Sequence, residues 1–418
     1  MKKRIVTLAF LSALFSYQNA FAASYDFFNF KKAPPKNSLI AEERWDTFAL
    51  INQAVLPTYG FLDGRLRVGA FGNVDVTPKT MQKTMPGEEN NYFALSNVGA
   101  NVDGDLNNWI HGHVGVAYYQ TNKGQGDVNQ STGLMLDDAW AILGDYNKSP
   151  LFLQAGRFYL PFGLYDRYTI TPTLPQMLAE SRETAVQVGF LDWYGFSLSG
   201  YGGQGFVTQN GSKIQGDINT GASLLYQKNW NQFRFLAGVQ YMYNMLNTNA
   251  LREGGLYTTS PNTGITNVYT QRTDGIAVQL RGGYGPIDVF ADYVSALRGS
   301  NNIALLRTDP SNPATAVPGA KPSAWDIGAA YHFTAWNKQF TIDGSYQRSY
   351  QSAGLYVFNA MPNHPFPQAR YIIAGTVDLI KDMASIQIQW GHNYLYPVGQ
   401  GDSGRQGDDA TIRLSLRV

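Results

Sequence analysis

From Arg65 to Val418 the chain repeats one pattern, segments of about ten residues in which apolar and polar positions alternate. At the C-terminus Ile412, Leu414, Leu416 and Val418 share one parity, and Thr411, Arg413, Ser415 and Arg417 the other. Phe233, Phe235, Ala237, Val239, Tyr241 and Tyr243 alternate in the same way with Arg234, Leu236, Gly238, Gln240 and Met242. A strand sends successive side chains to opposite faces, so each segment carries one apolar and one mixed polar face. Sixteen strands are expected, the first eight near 65–76, 92–103, 109–119, 134–144, 151–160, 184–190, 194–203 and 217–227. The others lie near 232–243, 272–283, 287–296, 322–333, 339–350, 369–379, 383–393 and 409–418.

The connections constrain the fold further. Asp105 to Asn108, Tyr146 to Pro150, Gly285-Pro286 and Ile380 to Asp382 read as tight turns. Between them fall long stretches rich in Asn, Thr, Pro and Gly, such as 244–271, 297–321 and 351–368. Short and long alternate throughout, which puts every tight turn at one end of an up-and-down sheet and every long loop at the other. A soluble sandwich has no reason to sort its loops so; a transmembrane β-barrel does. Trp109, Trp193, Trp230 and Trp336 all fall at the short-turn ends, where amphipathic rings mark a membrane boundary. An even count near sixteen encloses a lumen wide enough for water and small solutes.

Composition agrees. Charged residues are 15% of the chain, below the roughly 25% of an average soluble domain. Aromatics reach 14%, with 26 Tyr and 43 Gly, which excludes a disordered chain. With no Cys, a disulfide scaffold and a Cys-ligated metal protein are excluded. The first segment reads as a leader: three basic residues in Met1–Arg4, an apolar stretch Ile5–Phe15, and Ala20-Phe21-Ala22 as a cleavage site. The expected divisions are a signal peptide over 1–22, an N-terminal segment over 23–64 and the barrel over 65–418. Residues 38–56, with Trp45, Phe48, Leu50 and Ile51, suit a short helix or a segment in the periplasm or the lumen. The written chain has net charge +1, and losing the leader's three basic residues leaves a small acidic excess. Nothing in that balance points to nucleic acid.

In a pore the chemistry lies in charge and width at the narrowest ring. The loop over 161–183 is the most distinctive, because Pro161 ends a ladder and Gly163 allows a sharp bend. It and its exit carry Asp166, Arg167, Glu180, Arg182 and Glu183, and folded inward it would place both signs of charge in the lumen. Arg157, just before the bend, is a further pore-lining candidate whose face parity does not resolve. Inward parity also selects Arg65, Arg67, Arg234, Arg281, Arg413 and Arg417, with Asp288, Asp292, Asp326 and Asp343. The arginines would favour anions locally and the aspartates oppose that. For each such residue, pairing across the lumen competes with solute contact.

Enzyme and metal signals are weak. His111 and His113 share a face but bring no third ligand, and Asp402, Asp408 and Asp409 lack a regular calcium spacing. No G-x-S-x-G elbow or phosphate-cradling loop is present. No cofactor and no catalytic residue are expected.

A resemblance can be read from several runs. Leu136-Asp137-Asp138-Ala139-Trp140-Ala141, Pro150 to Arg157, and Pro161-Phe162-Gly163 look like the porins of Gram-negative outer membranes. With Glu180 to Val186 and Val188-Gly189-Phe190, the chain most resembles LbtU-type siderophore porins, and more distantly phosphate-selective porins. The specific part covers about residues 134–203. It departs at Thr171-Pro172-Thr173 and Ala179-Glu180, and ends in Val418 where an aromatic is usual. The resemblance implies a sixteen-stranded outer-membrane barrel that passes small hydrophilic solutes, ferric siderophore or another anionic chelate among them, without a TonB-type plug. Its partners would be outer-membrane lipid and the solute, and a homotrimer is compatible because general porins are often trimers. A surface-recognition barrel (adhesin or receptor) is the alternative, and an outer-membrane hydrolase a more distant one.

Overall fold

The computed structural model describes residues 60–61, 66–77, 92–119, 133–145, 148–165, 167–209, 216–248, 251, 268–269, 272–299, 319–352, 356–357, 364–380, 383–397 and 404–417. The sixteen long strands begin with β1 (Leu66–Thr77), β2 (Tyr92–Asn107), β3 (Ile110–Tyr119), β4 (Gly133–Leu143) and β5 (Leu151–Tyr159). After a short helix α1 (Leu174–Ala179) come β6 (Arg182–Trp193), β7 (Phe196–Gln204), β8 (Ile218–Trp230) and β9 (Phe233–Met242). Next are β10 (Gly275–Tyr284), β11 (Ile287–Ala296), β12 (Ser323–Ala335) and β13 (Lys338–Tyr350). The last are β14 (Ala369–Ile380), β15 (Ala384–Tyr394) and β16 (Gln406–Arg417). Each pairs antiparallel with the next, and β16 pairs back onto β1, so the sheet closes.

Closure leaves little free edge, and one short pairing covers what remains. The β1–β16 register ends at Phe71↔Arg417, and below it Gly60–Phe61 takes the exposed edge of β1 opposite Arg67 and Leu66. In lipid every backbone group must find an internal partner, so such a patch has a physical reason.

Burial is inverted relative to a soluble protein. Asn73, Asp75, Asp103, Gln154, Gln240, Gln279, Asp292, Asp326, Asp343, Gln387 and Gln389 point inward and are buried. Val102, Val114, Leu153, Val188, Leu224, Val239, Leu280, Ile327, Ile373 and Ile388 point outward and are exposed. A sheet with that pattern is solvated by hydrocarbon on its outer face. Among the described residues no helix is long and apolar enough to cross a membrane. The expected strand centres hold throughout. Several edges move: the segment expected over 92–103 runs on to Asn107, that over 184–190 runs from Arg182 to Trp193, that from 272 starts at Gly275, and that from 409 starts at Gln406. Before Gly275 the backbone serves another element, because Thr273 O accepts from Met245 N. Trp109, Trp193, Trp230 and Trp336 sit exposed at the tight-turn ends.

Candidate pore and its internal loop

The third long loop leaves β5 and returns at Arg182, so Arg182 and Glu183, expected at the loop's exit, instead open β6. Gly163 makes the inward bend with φ 95°; a Cβ there would fall 1.9 Å from the Tyr165 ring, so only glycine fits. Beyond the bend, Thr173 caps α1, accepting from Gln176 N at 3.4 Å, and Pro175 suits the first turn.

Helix α1 packs against β11, β12 and β13. In a barrel of sixteen, strands 5 and 13 lie half a turn apart, so the loop crosses the lumen to the far wall. Its backbone is held there by wall side chains. Gln389 Oε1 accepts from Ile170 N (2.7 Å) and Thr171 N (3.1 Å), and Gln347 Oε1 accepts from Leu174 N at 2.9 Å. Gln387 Nε2 donates to Tyr168 O. Leu174, Leu178 and Phe162 are fully buried with Met242, Met245, Leu246, Ala324 and Phe366, an apolar packing inside the barrel at its loop end.

Arg167 is the loop's charged anchor. Its Nη1 donates to Asp326, and its Nε and Nη2 donate to Asp343 at 3.3 and 2.8 Å. The guanidinium also lies 4.5 Å from the Phe290 ring centroid. Burial opposes its charge, but Asp326 and Asp343 outweigh that and hold it protonated above the ordinary arginine range. Arg281 on β10 pairs with Asp292 and donates to Leu164 O at 2.6 Å. Arg370 pairs with Asp409 at 3.0 Å and donates to Pro172 O at 3.4 Å. Arg413 takes Asp75 through two bonds of 2.7 Å and reaches Ile170 O at 3.5 Å. Sequence parity selects Arg281 and Arg413 as lumenal; Arg370 was missed, although its position between Ala369 and Tyr371 carries the same signal.

The other candidates fall in several places. Arg182 pairs with Asp137 and stacks over Tyr159. Glu183 is buried, accepting from Ser181 Oγ (2.9 Å) and Asn219 Nδ2 (3.0 Å). Glu180 is half-buried and accepts from Gln176 Nε2 at 2.7 Å. Arg234 meets Asp288 at 2.8 Å near the tight-turn end, where His332 Nε2 also lies 3.0 Å from Asp288. Arg67 stands in β1 opposite Asp103. Arg65 and Asp166 lie outside the described residues, as does Asp402. Arg157 requires a correction. Its register partners are Ala139 and Thr184, and Thr184 is exposed on the outer surface, so alternation sets Arg157 outward rather than into the lumen.

The histidines engage carboxylates, His113 two of them. His111 Nδ1 lies 2.7 Å from Asp105, and His113 lies 2.6 Å from Asp103 and 3.2 Å from Asp138. Asp408 meets His392 at 2.6 Å, while Asp409 belongs to Arg370. Among the described residues no three His, Cys, Asp or Glu side chains converge on a metal position.

Comparison with known proteins places this geometry. No protein-family profile matches the chain. It is 22% identical over 341 residues to a UPF0422 protein of Coxiella burnetii, covering 80% of this chain and 66% of that one. With the UPF0422 protein lpg2959 of Legionella pneumophila it shares 22% over 324 residues, 75% of this chain and 56% of the relative. The chain thus matches about two thirds or less of these longer proteins. Among solved structures, OmpF of Salmonella typhi, in complex with daunomycin, superposes with TM-score 0.54 at 15% identity, covering 86% and 99% of the two chains. OprB of Pseudomonas putida gives 0.53 at 10% identity (85% and 95%). An anion-selective porin from Comamonas acidovorans gives 0.51 at 11% identity (84% and 100%). The fold is that of the sixteen-stranded outer-membrane porins.

Proposed function

We propose that this protein is an outer-membrane porin through which small hydrophilic solutes diffuse. One observation carries the reading: a closed barrel, apolar outside and polar inside, is crossed by a loop bonded to the far wall at six strands, β10 and β12–β16. A barrel built only as a surface platform has no need to hold a loop inside itself. In this reading residues 1–22 direct export and are removed, the tight turns face the periplasm, and the long loops face outward. The roles assigned are positioning and field, with no nucleophile or general base required.

Purified protein in a planar bilayer is expected to give stable, step-like conductance of porin size. Correctly folded protein without conductance would favour the receptor or adhesin reading. Ferric siderophore, or another anionic chelate, is the narrower cargo that the resemblance suggests, and its test is labelled-chelate uptake in a deletion strain.

The proposal includes a homotrimer. Gly104, Gly112, Ala141 and Ala155 form one cross-strand row on the outer faces of β2–β5, low enough for a second sheet to approach closely. Cross-linking in isolated outer membranes is expected to give a three-chain species that Ala141→Trp abolishes. A monomer as the only product rules this out.

A further inference from the structure

We infer that Arg281, Arg370 and Arg413 are positioning residues of the internal loop rather than binding groups for passing anions. This rests on the reading of the barrel as a pore. Inward arginines in a lumen ordinarily suggest an anion path, and their sequence positions invite that reading. The bonding says otherwise. Each guanidinium joins partners of two different origins, a wall carboxylate and a main-chain carbonyl of the loop.

For Arg281 the pair is Asp292 and Leu164 O; for Arg370, Asp409 and Pro172 O; for Arg413, Asp75 and Ile170 O. The carboxylate neutralises the cation, and a further N–H of each guanidinium reaches the loop, while Arg281 also donates to the wall carbonyls of Leu280 and Ala291. Arginine suits both at once, because its planar fork spreads five donors in fixed directions while an ammonium carries three on a single atom. Access decides the matter further. The side chains of Arg281 and Arg370 are 2% and 3% exposed, so a solute cannot displace those contacts without moving the loop. The three carbonyls follow one another along residues 164–172, and the three arginines sit on β10, β14 and β16. The loop is therefore fastened along its length to separated parts of the wall.

Two roles predict opposite results in single-channel recordings under a salt gradient. The variants are Arg370→Lys, which keeps the charge and loses the fork, and Arg370→Gln/Asp409→Asn, which removes the anchor at unchanged net charge. As anchors, both are expected to behave alike: conductance and current noise rise, by about twofold for a loop freed on one side, while the reversal potential stays near wild type. If these arginines bind anions, Arg370→Lys keeps wild-type behaviour, the neutral pair shifts reversal toward cations at unchanged conductance, and the inference is overturned.

A second readout does not depend on conduction. The chain has no cysteine, so Leu178→Cys introduces a single thiol on the buried face of α1. Its maleimide labelling is expected to be slow in the parent and at least about tenfold faster with either Arg370 variant, corresponding to about 1.4 kcal/mol of lost occlusion. Equal labelling rates in correctly folded protein overturn the inference even if the barrel does not conduct. Faster labelling without any wild-type conductance would keep the anchor and sink the pore.

Discussion

Arg167→Met is expected to destabilise the folded barrel by about 3–5 kcal/mol, the loss typical when one partner of a buried ion cluster is removed. The reason is what the substitution leaves behind. Asp326 and Asp343 are wholly buried, face the same guanidinium, and come from adjacent strands β12 and β13. Without Arg167 two carboxylates stand together with no cation between them. The nearest replacement, Arg281, is already bonded to Asp292 and Leu164. Denaturant titration in detergent, followed by the gel shift of the folded barrel, measures the loss. The triple change Arg167→Met/Asp326→Asn/Asp343→Asn is expected to recover most of it, since shape-matched neutral groups carry little burial penalty. A single variant as stable as wild type would show that the cluster bears no load.

Leu280→Arg should be nearly as damaging for a different reason. Leu280 lies midway along β10, points outward, and is half exposed to the apolar surroundings of the barrel. A cation on the lipid face costs about 2–4 kcal/mol at the bilayer midplane. Its neighbour Gln279 points inward, where Gln240 Nε2 donates to its Oε1 at 2.7 Å. Gln279→Leu removes that bond and should cost only about 1 kcal/mol. Refolding yield into lipid vesicles separates the two, with Leu280→Arg the poorer folder. The opposite order would mean that inside and outside are exchanged.

That contrast shows what could be read from sequence. A period of two is a local property, so the strands, the inward row of Gln240, Gln279 and Asp292, and the outward row of Val239 and Leu280 were all legible. The Trp residues at the tight turns were legible for the same reason, since each lies next to its own strand. Helix α1 was not, because six residues around Pro175 carry no helical period. The loop's destination was hidden too: Arg167 and Asp343 are 176 residues apart, and no spacing rule links them. Arg157 was undecidable because Gln154, Ala155 and Gly156 before it give no clear apolar–polar contrast, and the pairing with Ala139 and Thr184 settles it.

The seam between β1 and β16 has a kinetic consequence. Its register holds six residue pairs, from Phe71↔Arg417 to Val76↔Ile412, and joins parts of the chain more than 330 residues apart. Pairing at such separation waits on the chain between, so this junction is the last to zip during assembly. Arg413 sits on it, bonded across to Asp75 and inward to Ile170 O. The crossing loop therefore gains its final fastening only when the cylinder shuts. An open, half-inserted sheet would carry an unsettled loop, and closing the wall and fixing the loop inside it become one step in the biogenesis of the barrel.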